Sequence, residues 1–123
     1  MLKEINQLII KCKDDDRILK LVSEQLDTLS DYVKIVVNMQ YKNAILLESK
    51  PNGYQDDVIN LDRNRTNAHN AAINACNIIN RIAEKNELEQ IFNIDTSDRK
   101  QVAKVIGDFI NELYAYGIGG DNN

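Results

Sequence analysis

Between Leu61 and Ile82, small and apolar residues recur every three or four positions, while asparagines recur at the same interval on a separate line. Residues so spaced share one face of a helix. Leu61, Arg65, Ala68, Ala72, Ala75, Ile79 and Ile82 fall on the first line, with His69, Cys76 and Ala83 beside it. Arg63, Asn67, Asn70, Asn74, Asn77 and Arg81 fall on the second. Strict alternation fails at Ala71-Ala72 and at Ile78-Ile79, which excludes a strand. The pattern predicts a helix over residues 56–85 with one packed face and one neutral, hydrogen-bonding face. The alanines at 68, 71, 72 and 75 admit a neighbour near the short end of the usual separation of about 8–10 Å, which puts this helix at the centre of a bundle.

The other elements are shorter or less regular. Leu2, Ile5, Leu8, Ile9 and Cys12 form an apolar stripe, predicting a first helix over residues 2–12. Asp14, Asp15 and Asp16 follow, read as the acidic cap and first turn of the next helix; as a cation site they lack the glycine and distal glutamate of a calcium loop. Ile18, Leu19, Leu21, Val22, Leu26 and Leu29 place a second helix over residues 15–29. Ser30 or Asp31 can cap a third over residues 31–48, with Val33, Val36, Val37, Ala44 and Leu47 on one side. Its start, Tyr32 to Val37, has strand-like composition, but the helical period continues beyond it. The second and third segments also read as one bent helix. Lys50-Pro51-Asn52-Gly53 is the strongest breaker in the chain. A connection through Leu88, Ile91, Phe92 and Ile94 is apolar enough to pack down. Asp95 to Asp98 is a dense capping signal, with Asp98 and Gln101 at capping-box spacing, and the final helix covers residues 97–116. Gly117 is the expected stop, followed by a frayed tail over residues 117–123. The result is an all-α, four- to five-helix bundle built around a long central helix, as one domain over residues 1–123.

Composition narrows the function classes. A formal charge of -4 and 28% charged residues give no general attraction to DNA or to anionic membrane. No segment approaches the run of about 18 apolar residues that a membrane helix needs, and Met1-Leu-Lys-Glu-Ile is too polar for a signal peptide. The expected location is the cytoplasm. Cys12 and Cys76 belong to no CxxC pair; they allow one disulfide, but their apolar settings favour buried free thiols.

Few residues could carry chemistry. No cysteine or serine stands beside the single histidine in a known nucleophile motif. Asp62, His69 and Cys76 share a face, but residues seven apart on a helix lie about 10.5 Å apart along its axis, too far to share one metal ion. Glu-x-x-His and glycine-rich phosphate loops are absent, so no cofactor is expected. What remains is a polar cluster of Asp62, Arg65, Thr66 and His69 on consecutive turns. It reads as a satisfied structural network, with Asp62 paired to Arg65 and His69 buried and hydrogen-bonded to Asp62 or to a carboxylate on a neighbouring helix.

Two resemblances add to this. Arg63-Asn64, four residues, then His69 resembles the Arg-polar-x4-His element of the HEPN superfamily, small helical bundles that include metal-independent ribonucleases and inactive RNA-binding relatives, usually dimeric. That resemblance implies Arg63 and His69 as a catalytic pair with Asn64 accompanying them. The imidazole would move the ribose 2′-hydroxyl proton and the guanidinium would hold the phosphate. On a regular helix the two side chains point about 120° apart, so a break near Asn64 or a two-fold interface would have to unite them. The run from Asp62 to Asn70, continuing through Asn80 to Ala83, is similar to a small family of uncharacterised helical proteins from Gram-positive bacteria, which implies a fold and no activity.

Two functions are therefore expected. One is a non-enzymatic module that binds a protein partner or forms a homo-oligomer, with Asn67, Asn70, Asn74, Asn77 and Arg81 as the candidate interface, because uncharged polar side chains are easier to desolvate than charged ones. The other is a HEPN-like ribonuclease or RNA-binding protein, the only reading in which RNA is a partner.

Overall fold

The computed structural model describes residues 1–117, which form four helices: α1 (Leu2–Lys11), α2 (Asp16–Ser49), α3 (Tyr54–Lys85) and α4 (Arg99–Tyr116). The described residues contain no strand. Asp15 caps α2, accepting from the backbone N–H groups of Arg17 at 3.2 Å and Ile18 at 3.3 Å, so the acidic triplet starts a helix. Asp98 caps α4 in the same way through Lys100 and Gln101. The reciprocal half of the capping box is displaced: the Gln101 side chain accepts from Asp95 N–H, at 2.9 Å. Gly117 ends α4 with φ 74°; the rest of the expected tail lies outside the described residues.

The helices expected over residues 15–29 and 31–48 are one helix. Leu26, Leu29, Tyr32 and Val36 carry a buried seam straight through the expected break, and no glycine or proline interrupts the segment. Ser30 does not cap; its hydroxyl is hydrogen-bonded to the Tyr114 hydroxyl on α4.

α2 and α3 form an antiparallel hairpin. Lys50 takes the left-handed conformation at φ 45°, Pro51 cannot continue the helix, and Gly53 supplies φ 78° at the entry to α3. At 34 and 32 residues the two helices are about 50 Å long, whereas α4, with 18 residues, is about 27 Å and α1, with 10, about 15 Å. The long pair outruns the short pair. In the base, Val22 to Val36 of α2 and His69 to Ala83 of α3 supply the buried faces, joined by Ile5 and Leu8 of α1 and by Val102, Ile106 and Phe109 of α4. Phe92 of the 86–98 connection meets Phe109 edge to face, with ring centroids 5.3 Å apart.

Every residue from Val37 through Ala68 is half-buried or exposed. This part of the hairpin is a projecting arm. Of the residues expected on one packed side of the third helix, Val36 is buried and Val33 half-buried, while Val37, Ala44 and Leu47 are exposed. Beyond Val36, α3 is the main helix beside α2, with only the first residues of α4 reaching the level of Met39 to Asn43, so little more than a single stripe is covered. No described helix is long and apolar enough to cross a membrane.

Candidate functional site

Where the arm leaves the base, α3 meets the start of α4, and the polar residues singled out in the sequence gather there. Asp62 does not pair with Arg65. Its Oδ1 lies 3.6 Å from Nη1 of Arg99, and Nη2 of Arg99 donates to the Thr66 hydroxyl at 2.6 Å. Asp62 and Thr66 are four apart and present one line to the first residue of α4, whereas Arg65 lies on the stripe turned toward α2. With Asp62 70% exposed, that ion pair contributes at most about 1 kcal/mol. Arg65 instead has its Nε buried without a hydrogen-bond partner.

His69 retains 9% exposure, and its hydrogen bond is to the backbone of Thr96 in the loop before α4 rather than to a carboxylate. Burial pushes the imidazole below its ordinary pKa, the Arg99 charge pushes the same way, the Thr96 bond opposes them, and Arg65 adds a smaller downward push. Tyr32, reaching in from α2, is pushed up by burial, with the charges of Arg65 and Arg99 pulling it back. A buried phenol and a buried imidazole thus lie in the field of two guanidinium groups. α3 is unbroken through Arg63, Asn64 and His69; the first two are exposed and the third is buried.

Two structural residues were missed in the sequence. Asn80 keeps 8% exposure and makes three hydrogen bonds to the connection: its Nδ2 donates to Phe92 O at 2.8 Å, and its Oδ1 accepts from Ile91 and Phe92 N–H at 3.0 and 2.9 Å. The available signal was an asparagine off the asparagine line, between Ile79 and Ala83 of the packed face. Arg99 gave no signal, because its partners are distant in sequence. Cys12 and Cys76 are free and buried, and burial pushes the Cys76 thiol up to about 12.

Asn67, Asn70, Asn74, Asn77 and Arg81 are all exposed, and no large exposed apolar residue accompanies them. Exposed apolar side chains gather on the arm instead. Val37, Tyr41 and Ile45 follow one another at four-residue spacing on the outer side of α2, Leu47 and Ile59 are exposed elsewhere on the arm, and Tyr41 is 69% exposed. At Ile45 this stripe runs into a groove of about 360 Å³ lined by Lys42, Leu46, Asp57, Asn60, Leu61 and Asn64.

The arrangement offers a polar junction and an apolar arm, and the comparisons attach no activity to either. No curated protein and no solved structure matches the chain. A family described as protein of unknown function (DUF3232) matches residues 1–117, and the chain belongs to that family.

Proposed function

We propose that the chain is a non-enzymatic interaction module and that its partner is a second copy, engaged through the projecting arm. The observation that carries this reading is the exposed stripe of Val37, Tyr41 and Ile45 running into the groove between α2 and α3. Five of the nine large exposed apolar residues among those described lie on the arm, where a monomer leaves them in water. A two-fold interface requires each copy to carry both halves of every contact. The arm carries an aromatic knob, Tyr41, beside an apolar-lined groove whose rim holds one cation, Lys42, and one anion, Asp57. Two arms laid antiparallel would seat each Tyr41 against the other copy's groove and set Lys42 opposite Asp57, completing a four-helix arrangement at the arm. The asparagine face, with no apolar anchor, is a weaker candidate for the same role.

Sedimentation velocity tests the proposal. The wild type is expected to sediment as a dimer at tens of micromolar, and Tyr41→Glu as a monomer with an unchanged far-ultraviolet circular dichroism spectrum. A wild type that stays monomeric at millimolar concentration overturns it. The ribonuclease reading through Arg63, Asn64 and His69 has less support, because an exposed guanidinium and a buried imidazole about 120° apart on one regular helix would need a second chain to complete the pair. RNA cleavage in EDTA that both Arg63→Ala and His69→Ala abolish would revive it.

A further inference from the structure

The opposite flank of the arm holds a second and larger groove, of about 650 Å³, where α2, α3 and the first residues of α4 meet. Met39, Gln40 and Asn43 come from α2, Val58, Leu61, Asp62 and Arg65 from α3, and Arg99 and Lys100 from α4. Leu61 lines both grooves; the other residues of this one do not line the groove at Ile45.

Its charge is the informative feature. Three cationic side chains line it against the single carboxylate of Asp62, in a chain whose formal charge is -4. Gathering like charges at a half-buried place is unfavourable unless counter-charge arrives. The counter-charge present is insufficient. Asp62 is largely exposed and stands 3.6 Å from Arg99 alone. Arg65 leaves its Nε buried with no partner. Arg99 is turned into the junction by Thr66, which holds its Nη2. The surplus also reaches the neighbours, since Arg99 and Arg65 both disfavour a charged His69.

Guanidinium forks match the planar oxygens of a carboxylate or the oxygens of a phosphate. Beside them, Met39, Val58 and Leu61 supply an apolar wall, and the volume lies within the range of about 300–1,000 Å³ common for small-molecule sites. We infer that this groove binds a small organic anion, its carboxylate or phosphate held by Arg65, Arg99 and Lys100 and its apolar body lying against Met39, Val58 and Leu61.

Isothermal titration calorimetry on the full chain tests this with four probes: octanoate, octyl phosphate, acetate and inorganic phosphate. At least one octyl anion is expected to bind saturably, at least about tenfold tighter than its bare head group, and the preferred octyl probe identifies that head group. Arg65→Gln and Arg99→Gln are each expected to weaken it by about tenfold or more, as the loss of a charged hydrogen bond implies. Lys100→Gln, at an exposed position, is expected to weaken it severalfold, which keeps the test decisive where an arginine variant folds poorly. Lys20→Gln, an exposed cation in the base that lines neither groove, is expected to change nothing. Absence of saturable binding by both octyl anions overturns the inference, as does an affinity that Lys100→Gln and Arg99→Gln leave unchanged or that Lys20→Gln reduces equally.

Discussion

The Asn80 side chain and the Phe92 backbone hold each other in both directions: the amide donates to the Phe92 carbonyl at 2.8 Å and its oxygen accepts the Phe92 N–H at 2.9 Å. With the further bond from Ile91 N–H at 3.0 Å, one side chain anchors the 86–98 connection to the middle of the packed face. Asn80→Ala leaves two backbone donors and one acceptor buried without partners, and is expected to destabilise the fold by about 3 kcal/mol. Asn80→Leu fills the same space and is expected to recover little of this, because the backbone groups stay unpaired. Urea unfolding of both variants checks it; full recovery in the leucine variant would make packing, not hydrogen bonding, the role of Asn80.

His69 titrates below its ordinary value of 6.5 in the folded chain. The unfolded chain therefore takes up a proton first as pH falls, so the contribution of His69 is fully present above about pH 6.5 and is lost as pH falls through the lower folded value. Glu4 and Asp95 are also pushed down, from 4.5 and 3.8, and titrate below that window. Thermal midpoints from pH 7.5 to pH 5 are expected to decline in the wild type and to lose that component in His69→Gln. His69→Ala is expected to destabilise at neutral pH by about 1–3 kcal/mol through the cavity and the unpaired Thr96 backbone. An unchanged midpoint in His69→Ala would point away from a structural role.

With its pKa pushed up to about 12, the Cys76 thiol holds almost no thiolate at pH 8, and Cys12 is pushed up as well by burial and by Asp15. A colorimetric thiol reagent is expected to find neither cysteine reacting quickly in the folded protein and both reacting in guanidinium chloride. Fast reaction of one thiol without denaturant would show that the base opens locally around it.

Lys50 occupies the left-handed position that ends α2, at φ 45°. A non-glycine residue there costs about 1–2 kcal/mol, more than the roughly 0.5–1 kcal/mol of extra chain entropy that glycine loses on folding. Lys50→Gly is expected to stabilise the protein by up to about 1 kcal/mol, seen as a rise of a few degrees in the melting midpoint. A lowered midpoint would show that the Lys50 side chain makes contacts outweighing its backbone conformation.

What could be read in the sequence depended on the range of the interaction. The two faces of α3 and the burial of His69 follow from spacing within one helix, and Asp15 and Asp98 cap the residues beside them. The expected break at Ser30 was overridden because Leu26, Leu29 and Tyr32 keep α2 on the core, an effect set by neighbours the local sequence does not contain. Val37, Ala44 and Leu47 read as core because an apolar period looks the same whether or not a helix covers it. That cover ends where α1 and α4 end, and only the assembled lengths show it. Arg99 replacing Arg65 as the partner of Asp62 is likewise a contact between helices.

The turn at Lys50 to Gly53 stands at the far end of a lever without a core of its own. From Val37 to Ala68 the chain has its helix hydrogen bonds and one half-buried seam, while the base below is sealed on several sides. Amide protection in an isolated copy should therefore fall off stepwise toward the tip, the outermost turns opening without disturbing the base. α2 is continuous, however, so anything that clamps the arm restrains a rod whose other half forms a wall of the core. Clamping the arm should therefore raise amide protection along the upper part of α2 as well as at the tip, one helix serving as both handle and beam.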